Sequence, residues 1–330
     1  MADRAEPHQF SLEEIRKALS GHVYQIRGNA EGLVIRNART LQEADEYSLV
    51  WISPSRAIDT PELLASTPAR CIVCKPPGTL PEDLLKEKCL ILTDNPKLIF
   101  SLLLEAFFVD KPRAEVHPTA VVHPEAELAA DVYVGPFTYV GKCRIDRGSI
   151  IWGNCYLYDN VTLGKNVEIH AGCVIGDEGS GYAKNDRGEW IKFPHIGGTI
   201  LEDNVEVGAN TYINRGALGN THIKKGAKIG NSVCIGHNVV IEENAIVIAN
   251  SLVAGSSQVG KGVYIAPSVT IRNRLTIGDN AFIGMGAVVV KDVPEDTTVL
   301  GNPAEPIEEF RKWKKLKARL FAMFEEKKKE

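Results

Sequence analysis

Histidine is the side chain that exchanges a proton most readily near neutral pH, because a free imidazole titrates at about 6.5. This chain of 330 residues has eight histidines, and four of them fall in its later stretches: His170, His195, His222 and His237. His237 stands between Gly236 and Asn238. It follows a residue small enough to turn the chain, so its ring should point outward, as a surface histidine or as a general base. His170 and His222 read as surface or corner residues. His195 ends a long loop, where it either lines a site or anchors the loop. A zinc triad needs three converging histidines, and these lack a compact spacing. Cys71 and Cys74 sit in a strand-like run, Ala-Arg-Cys-Ile-Val-Cys-Lys, with no second pair to complete a zinc site. No bound metal and no permanent cofactor are therefore expected. Arg215 and Arg274 could hold phosphates or stand solvated. Tyr182 and Trp190 could cover a ligand or pin their own loop.

The elements that must position these residues are set by a period of six. Ile223, Ile229, Ile235, Ile241, Val247, Val253, Val259, Ile265, Ile271, Ile277, Ile283 and Val289 mark every sixth position. Neither a helix nor a flat sheet needs that period, whereas a hexapeptide repeat reads as a parallel β-helix. The position after each aliphatic is often small, as at Gly230, Gly236 and Gly260, where glycine is expected to turn the corner with positive φ. The fourth position after it is also small, as at Ala227, Val239, Ser251 and Ser257, so each hexad points one long and one short side chain inward. Three hexads close a coil, so residues eighteen apart should stack at roughly 4.8 Å. The same period runs from Val116 to Val140, slips by one, and resumes from Ile145 to Ile175. The stretches 176–195 and 214–222 interrupt it and must loop out.

Bulk properties narrow the field. The net charge of −4 gives no reason to expect nucleic acid as a partner, and no apolar run is long enough to span a membrane. Seven scattered cysteines and a polar N-terminus without an apolar leader point to the cytoplasm. Ser11-Leu12-Glu13-Glu14 is a capping box, predicting a helix to about Leu19. We expect a small α/β domain over 1–111, a solenoid over 112–304, and a basic amphipathic helix over 305–330. That helix carries Leu316, Leu320, Met323 and Phe324 on one side. It should pack on the solenoid end or a partner subunit, or dock an acidic carrier or the phosphates of a CoA donor.

These residues resemble the UDP-3-O-acylglucosamine N-acyltransferases of lipid A synthesis, within the hexapeptide-repeat acyltransferases. The likeness is carried by Phe10-Ser11-Leu12-Glu13-Glu14-Ile15, by 37–44, by the loop Gly179-Ser180-Gly181-Tyr182-Ala183 with Trp190 to His195, and by 208–218. The resemblance implies a mainly β fold: a left-handed parallel β-helix with a small N-terminal α/β nucleotide-binding domain and a C-terminal helix, assembled as a homotrimer. Flat faces carrying Ile248 and Val290 would need such covering. It also implies that His237, in a Gly-His-Asn step, is the catalytic base, and that Gly255, eighteen residues later, offers its backbone N–H to an oxyanion. Asn238, Tyr182, Trp190, His195, Asn214, Arg215 and Arg274 would then line the substrate and donor site, with Trp51, Ser53 and Arg56 at the nucleotide.

Three departures bear on the substrate. Asn214 stands where the family usually has aspartate. Arg274 stands where it has a second histidine. Around Trp51-Ile52-Ser53-Pro54-Ser55-Arg56 the family's asparagine and tyrosine are missing. The reading is an N-acyltransferase that takes an acyl group from acyl-CoA or acyl-carrier protein to a nucleotide-linked amino (dideoxy) sugar. The lipid A enzyme itself is the alternative, and a non-catalytic solenoid scaffold is the alternative outside enzymes.

Overall fold

The computed structural model describes residues 9–53, 60–78 and 80–327, and the chain divides into two compact units, 1–111 and 112–330. In the first unit α1 (Leu12–Ala18) begins at the capping box. Ser11 Oγ accepts from the Glu14 N–H at 3.3 Å, and Glu14 Oε2 accepts from the Ser11 N–H at 2.8 Å. The sheet holds β1 (Gln25–Gly28), β2 (Asn37–Ala38), β3 (Ser48–Trp51), β4 (Cys71–Cys74) and β5 (Cys89–Leu92) in the order β1-β5-β4-β3-β2. All pairings are parallel except β1 with β5. Every residue of β4 and β5 is buried, as parallel strands covered on both faces must be. Leu49, Val73 and Ile91 face a core shared with α1 and α4 (Pro96–Phe107), while Val50, Ile72 and Leu90 face a second one with α2 (Thr60–Ser66) and α3 (Glu82–Glu87). The Cys71 and Cys74 thiols are therefore buried core groups, and burial raises the Cys74 thiol to about 11.

The second unit is a left-handed parallel β-helix of mostly two-residue strands stacked in three sheets. Its register is the eighteen-residue stack: Ile235 pairs with Val253, Val253 with Ile271, and Ile271 with Val289. The slip between Val140 and Ile145 falls in a corner, so both residues still pair in line with the coils on either side. Inward aliphatics form one continuous core. The short inward positions are polar only where the hydroxyl bridges coils. Ser251 Oγ donates to the Ala266 carbonyl at 3.1 Å and accepts from the Val269 N–H at 3.2 Å, so burying it leaves nothing unpaired.

The corners differ from expectation. Gly230, Gly236 and Gly260 do not adopt positive φ, unlike Gly176 at the base of the long loop. They are small because the next coil's backbone passes too close, and a Cβ on Gly236 would lie 2.6 Å from the Gly255 nitrogen. The turn itself is made two residues later, where Asn238, Asn244, Asn250, Ser256, Arg274 and Asn280 hold φ between 56° and 63°. Asparagine tolerates this region better than most side chains.

Of the packings expected for the C-terminal helix α5 (Ile307–Lys327), the one on the solenoid end is not seen within one chain. The helix does not lay its apolar side on the solenoid, for Trp313, Phe321 and Phe324 are each at least 60% exposed. Ile248 and Val290 are half-buried rather than exposed. No helix among the described residues is long and apolar enough to cross a membrane.

Candidate active site

One corner of the solenoid collects most of the chemistry. The strands Val174–Asp177, Tyr212–Asn214, Cys234–Ile235, Leu252–Val253 and Thr270–Ile271 belong to one sheet, and each hands over to the next sheet at that corner. The long loop, the shorter bulge, His237, Gly255 and Arg274 therefore succeed one another along a single edge. This is a consequence of the period: insertions and special residues that enter at the same phase of the coil align in space.

His237 is half-buried there, and its tautomer can be derived. The Ala217 N–H donates to Asn238 Oδ1 at 2.9 Å, so that atom is an acceptor. His237 Nδ1 lies 3.1 Å from the same oxygen and must donate to it. The proton is thus on Nδ1, and Nε2 keeps its lone pair. Asn238 is itself held by its turn conformation and by its backbone N–H, which donates to Thr221 Oγ1 at 2.8 Å. The free Nε2 lies over Gly255, where a Cβ would come within 2.6 Å of it.

The Gly255 N–H has no acceptor among the described residues. At the same position of other corners, the amides of Lys142, Ala209 and Lys261 are capped by Asp159, Asn231 and Asp279 of the next coil, at 2.7 to 2.8 Å. An uncapped amide beside a bare imidazole nitrogen can hold a developing negative charge while the ring takes a proton.

The long loop folds as a hairpin of Tyr182–Lys184 against Trp190–Lys192. Tyr182 and Trp190 are exposed, and Lys184 Nζ lies 5.0 Å from the centre of the Trp190 ring. The hairpin ends at His195, which is 2% exposed with its ring centre 4.9 Å from that of His237. Gly179 and Gly181 allow this approach: a Cβ on Gly179 would stand 3.0 Å from His237 Cδ2, and one on Gly181 2.7 Å from His195 Cε1. The hydrogen bond from Lys192 holds the Glu178 carboxyl below its usual range.

Asn214 and Arg215 serve the loop base. Asn214 Nδ2 donates to the carbonyls of Asp177 and Glu178 at 3.4 and 3.2 Å. Arg215 Nε donates to the Gly176 carbonyl at 2.5 Å, and its guanidinium lies 5.8 Å from the centre of the Tyr158 ring. Burial and the nearby Asp177 raise the Tyr158 hydroxyl. Arg274 is exposed and its backbone N–H donates to the Gly255 carbonyl at 3.0 Å. His170 and His222 lie apart from this corner, the first beside Glu168 and Glu206 and the second beside Glu202. Sequence reasoning took Gly179, Gly181 and Ala217 only as part of the resemblance, with no role of their own, and missed Thr221. Nothing in their spacing marks them, because their roles come from backbone proximity.

In the first unit a pocket of about 490 Å³ is lined by Ala38, Arg39, Thr40, Leu41, Glu43, Trp51, Ser53, Phe100 and Leu104. Trp51 stacks on Phe100 with ring centres 6.0 Å apart, so one face of the indole is taken. Arg56 lies outside the described residues. Arg39 and Phe100 were not singled out from sequence, since Phe100 reaches the pocket only because α4 packs beside β3.

Comparisons with known proteins bear on the family and the fold. The bacterial transferase hexapeptide pattern of six repeats matches residues 142–177, and the hexapeptide repeat of succinyl-transferase matches 195–215 and 274–294. The chain is 32% identical over 249 residues to a UDP-3-O-acylglucosamine N-acyltransferase of Leptothrix cholodnii, covering 69% of this chain and 70% of that one. It is 35% identical over 255 residues to the enzyme of that name from Coxiella burnetii, covering 68% and 69%. A Pseudomonas syringae relative is matched over only 47% of its length. Among solved structures, a UDP-N-acetylglucosamine O-acyltransferase from Moraxella catarrhalis superposes with a TM-score of 0.54 at 23% identity, over 58% of this chain and 73% of that one. At that identity the likeness speaks for the fold alone.

Proposed function

Because this chain belongs to the UDP-3-O-acylglucosamine N-acyltransferase family, we propose that it acylates the amino group of a nucleotide-linked amino sugar. The observation that carries the mechanism is the fixed tautomer of His237, with Nε2 bare beside the uncapped Gly255 amide. The sugar amine attacks the carbonyl carbon of an acyl thioester, and the carbonyl electron pair moves onto oxygen. Gly255 N–H donates to that oxygen, an interaction worth about 3 kcal/mol in comparable sites. His237 Nε2 takes the amine proton and returns it to the thiolate as the C–S bond breaks. The thioester is an acyl-CoA or an acyl-carrier protein. The pocket beside Trp51 takes the base.

The names of the relatives favour UDP and a 3-O-acylated glucosamine. A second reading has a specific support. Trp51 already stacks on Phe100, and Ser53 lacks the paired donor and acceptor of an amide. Such a pocket need not demand uracil, and a thymidine- or guanosine-linked dideoxy amino sugar then becomes a substrate class to test.

A substrate panel separates the readings. UDP-3-O-acylglucosamine with a long acyl-carrier thioester is run against dTDP- and GDP-amino sugars with short acyl-CoAs. We expect turnover of at least one pair and a loss of about 10²–10⁴-fold in His237→Ala. Turnover of the first pair alone removes the second reading. Undiminished turnover in a folded His237→Ala protein removes the mechanism.

A further inference from the structure

The mechanism leaves one buried group unused. His195 Nδ1 lies 2.9 Å from the Phe193 carbonyl oxygen, which can only accept, so Nδ1 carries a hydrogen. Its other nitrogen, Nε2, is buried without a hydrogen-bond partner. A buried polar atom left unpaired is costly, and native structures hold few of them. This one is not an accident of a loose loop. Two glycines make the space for it: a Cβ on Gly179 would stand 3.1 Å from His195 Nε2 and 3.0 Å from His237 Cδ2, and one on Gly181 2.7 Å from His195 Cε1. The two imidazoles meet edge to face, with 73° between their planes and 4.9 Å between centres.

We infer that His195 is a positioning residue for the reaction: it holds the ring of His237 and, with its unpaired nitrogen, stabilises the imidazolium that His237 becomes. The inference rests on His237 as the base. During transfer His237 Nε2 gains the amine proton and the ring becomes a cation. A neighbouring imidazole that donates its Nδ1–H away toward Phe193 turns the negative end of its dipole, the Nε2 lone pair, to the opposite side. In a buried contact the attraction between that lone pair and the cation is little screened. The ring then gives that proton to the thiolate as it forms.

The other charged groups of this edge are already committed or lie outside the contact. Glu178 is tied to Lys192 on the hairpin, and its carboxylate is also within electrostatic reach of His195. Arg215 clasps the Gly176 and Asp159 carbonyls, and Asp177 stands beside Tyr158. Arg274 is exposed on the following coil. None of these supplies the missing partner of His195 Nε2.

The test is the pH profile of kcat/KM for the intact enzyme and two variants. His195→Phe keeps an aromatic ring of similar size but has no nitrogen. His195→Gln restores an acceptor. In His195→Phe the imidazolium is less stabilised, so the base stays unprotonated to lower pH. The acid limb should move down by about one unit, with kcat about tenfold lower and KM little changed. In His195→Gln the limb should return toward the wild-type position. If the acid limb stays put in both variants while His237→Ala is inactive, His195 is a structural residue and the inference is overturned. Should His195→Phe not fold, a wild-type limb together with wild-type kcat in an asparagine variant, too short to reach His237, overturns it equally. If His237→Ala keeps full activity, the failure lies in the proposed mechanism instead.

Discussion

At the residue scale the site depends on one asparagine as much as on its histidine. Asn238 accepts from Ala217 and from His237 through one oxygen, and so decides which imidazole nitrogen is free. We expect Asn238→Ala to lower kcat by about 10²-fold, the lower part of the range for a general base, because both tautomers of His237 then become accessible. Asn238→Asp keeps the acceptor and should retain much more activity. Steady-state rates for the two variants, with circular dichroism as the fold control, decide this; equal losses would mean that the tautomer is set elsewhere. Gly255 carries a similar argument on steric grounds. A methyl there would lie 2.6 Å from His237 Nε2, closer than such atoms approach in native proteins. Gly255→Ala should displace the ring and cost about 10²-fold in kcat, while the melting temperature changes little because the residue sits at an outer corner. An unchanged rate in that variant would show that the ring can move without loss.

At the scale of the coil, positive φ recurs at the same phase of most hexads, and Arg274 is the bulky exception among the asparagines and serine of its own edge. A long side chain in the left-handed region costs about 1–2 kcal/mol. Residues kept in such conformations often serve the site. We therefore expect opposite effects from Arg274→Gly. Thermal unfolding should show a rise of about 2–4 °C, the shift for roughly 1 kcal/mol in a unit of this size. The KM for the thioester donor should rise several-fold as a phosphate partner is removed. A variant that gains stability with no change in KM would leave Arg274 without a part in donor binding.

At the scale of the whole molecule, apolar surface is left uncovered by the chain itself. Tyr264 and Phe282 stack with ring centres 5.2 Å apart on an outer sheet face, both more than a third exposed. The helix α5 presents Trp313, Leu316, Phe321 and Phe324 to solvent. Contiguous apolar surface of this kind marks an interaction site. We expect three copies of the 36.1 kDa chain to associate. Multi-angle light scattering should return three times the chain mass for the full protein and a lower mass once 307–330 is removed. A monomer in both cases would end the idea of a trimer.

The six-residue period was visible in the order of residues because every coil repeats the same demand for an inward aliphatic, and this alone implied a parallel β-helix with residues eighteen apart in register. The capping box at Ser11 and the buried strand at Cys71–Cys74 were legible for the same reason, since local hydrogen bonding and burial leave local patterns. His237 could be placed at a corner, but spacing did not separate a surface histidine from a base. Only the tertiary structure brought Ala217 to Asn238 and His195 to His237, across twenty-one and forty-two positions of chain. It also showed that the glycines after each aliphatic serve close approach and that the turn belongs to the residue two places on. Contacts between loops of different coils depend on where backbones pass in space, and no periodicity along the chain records that.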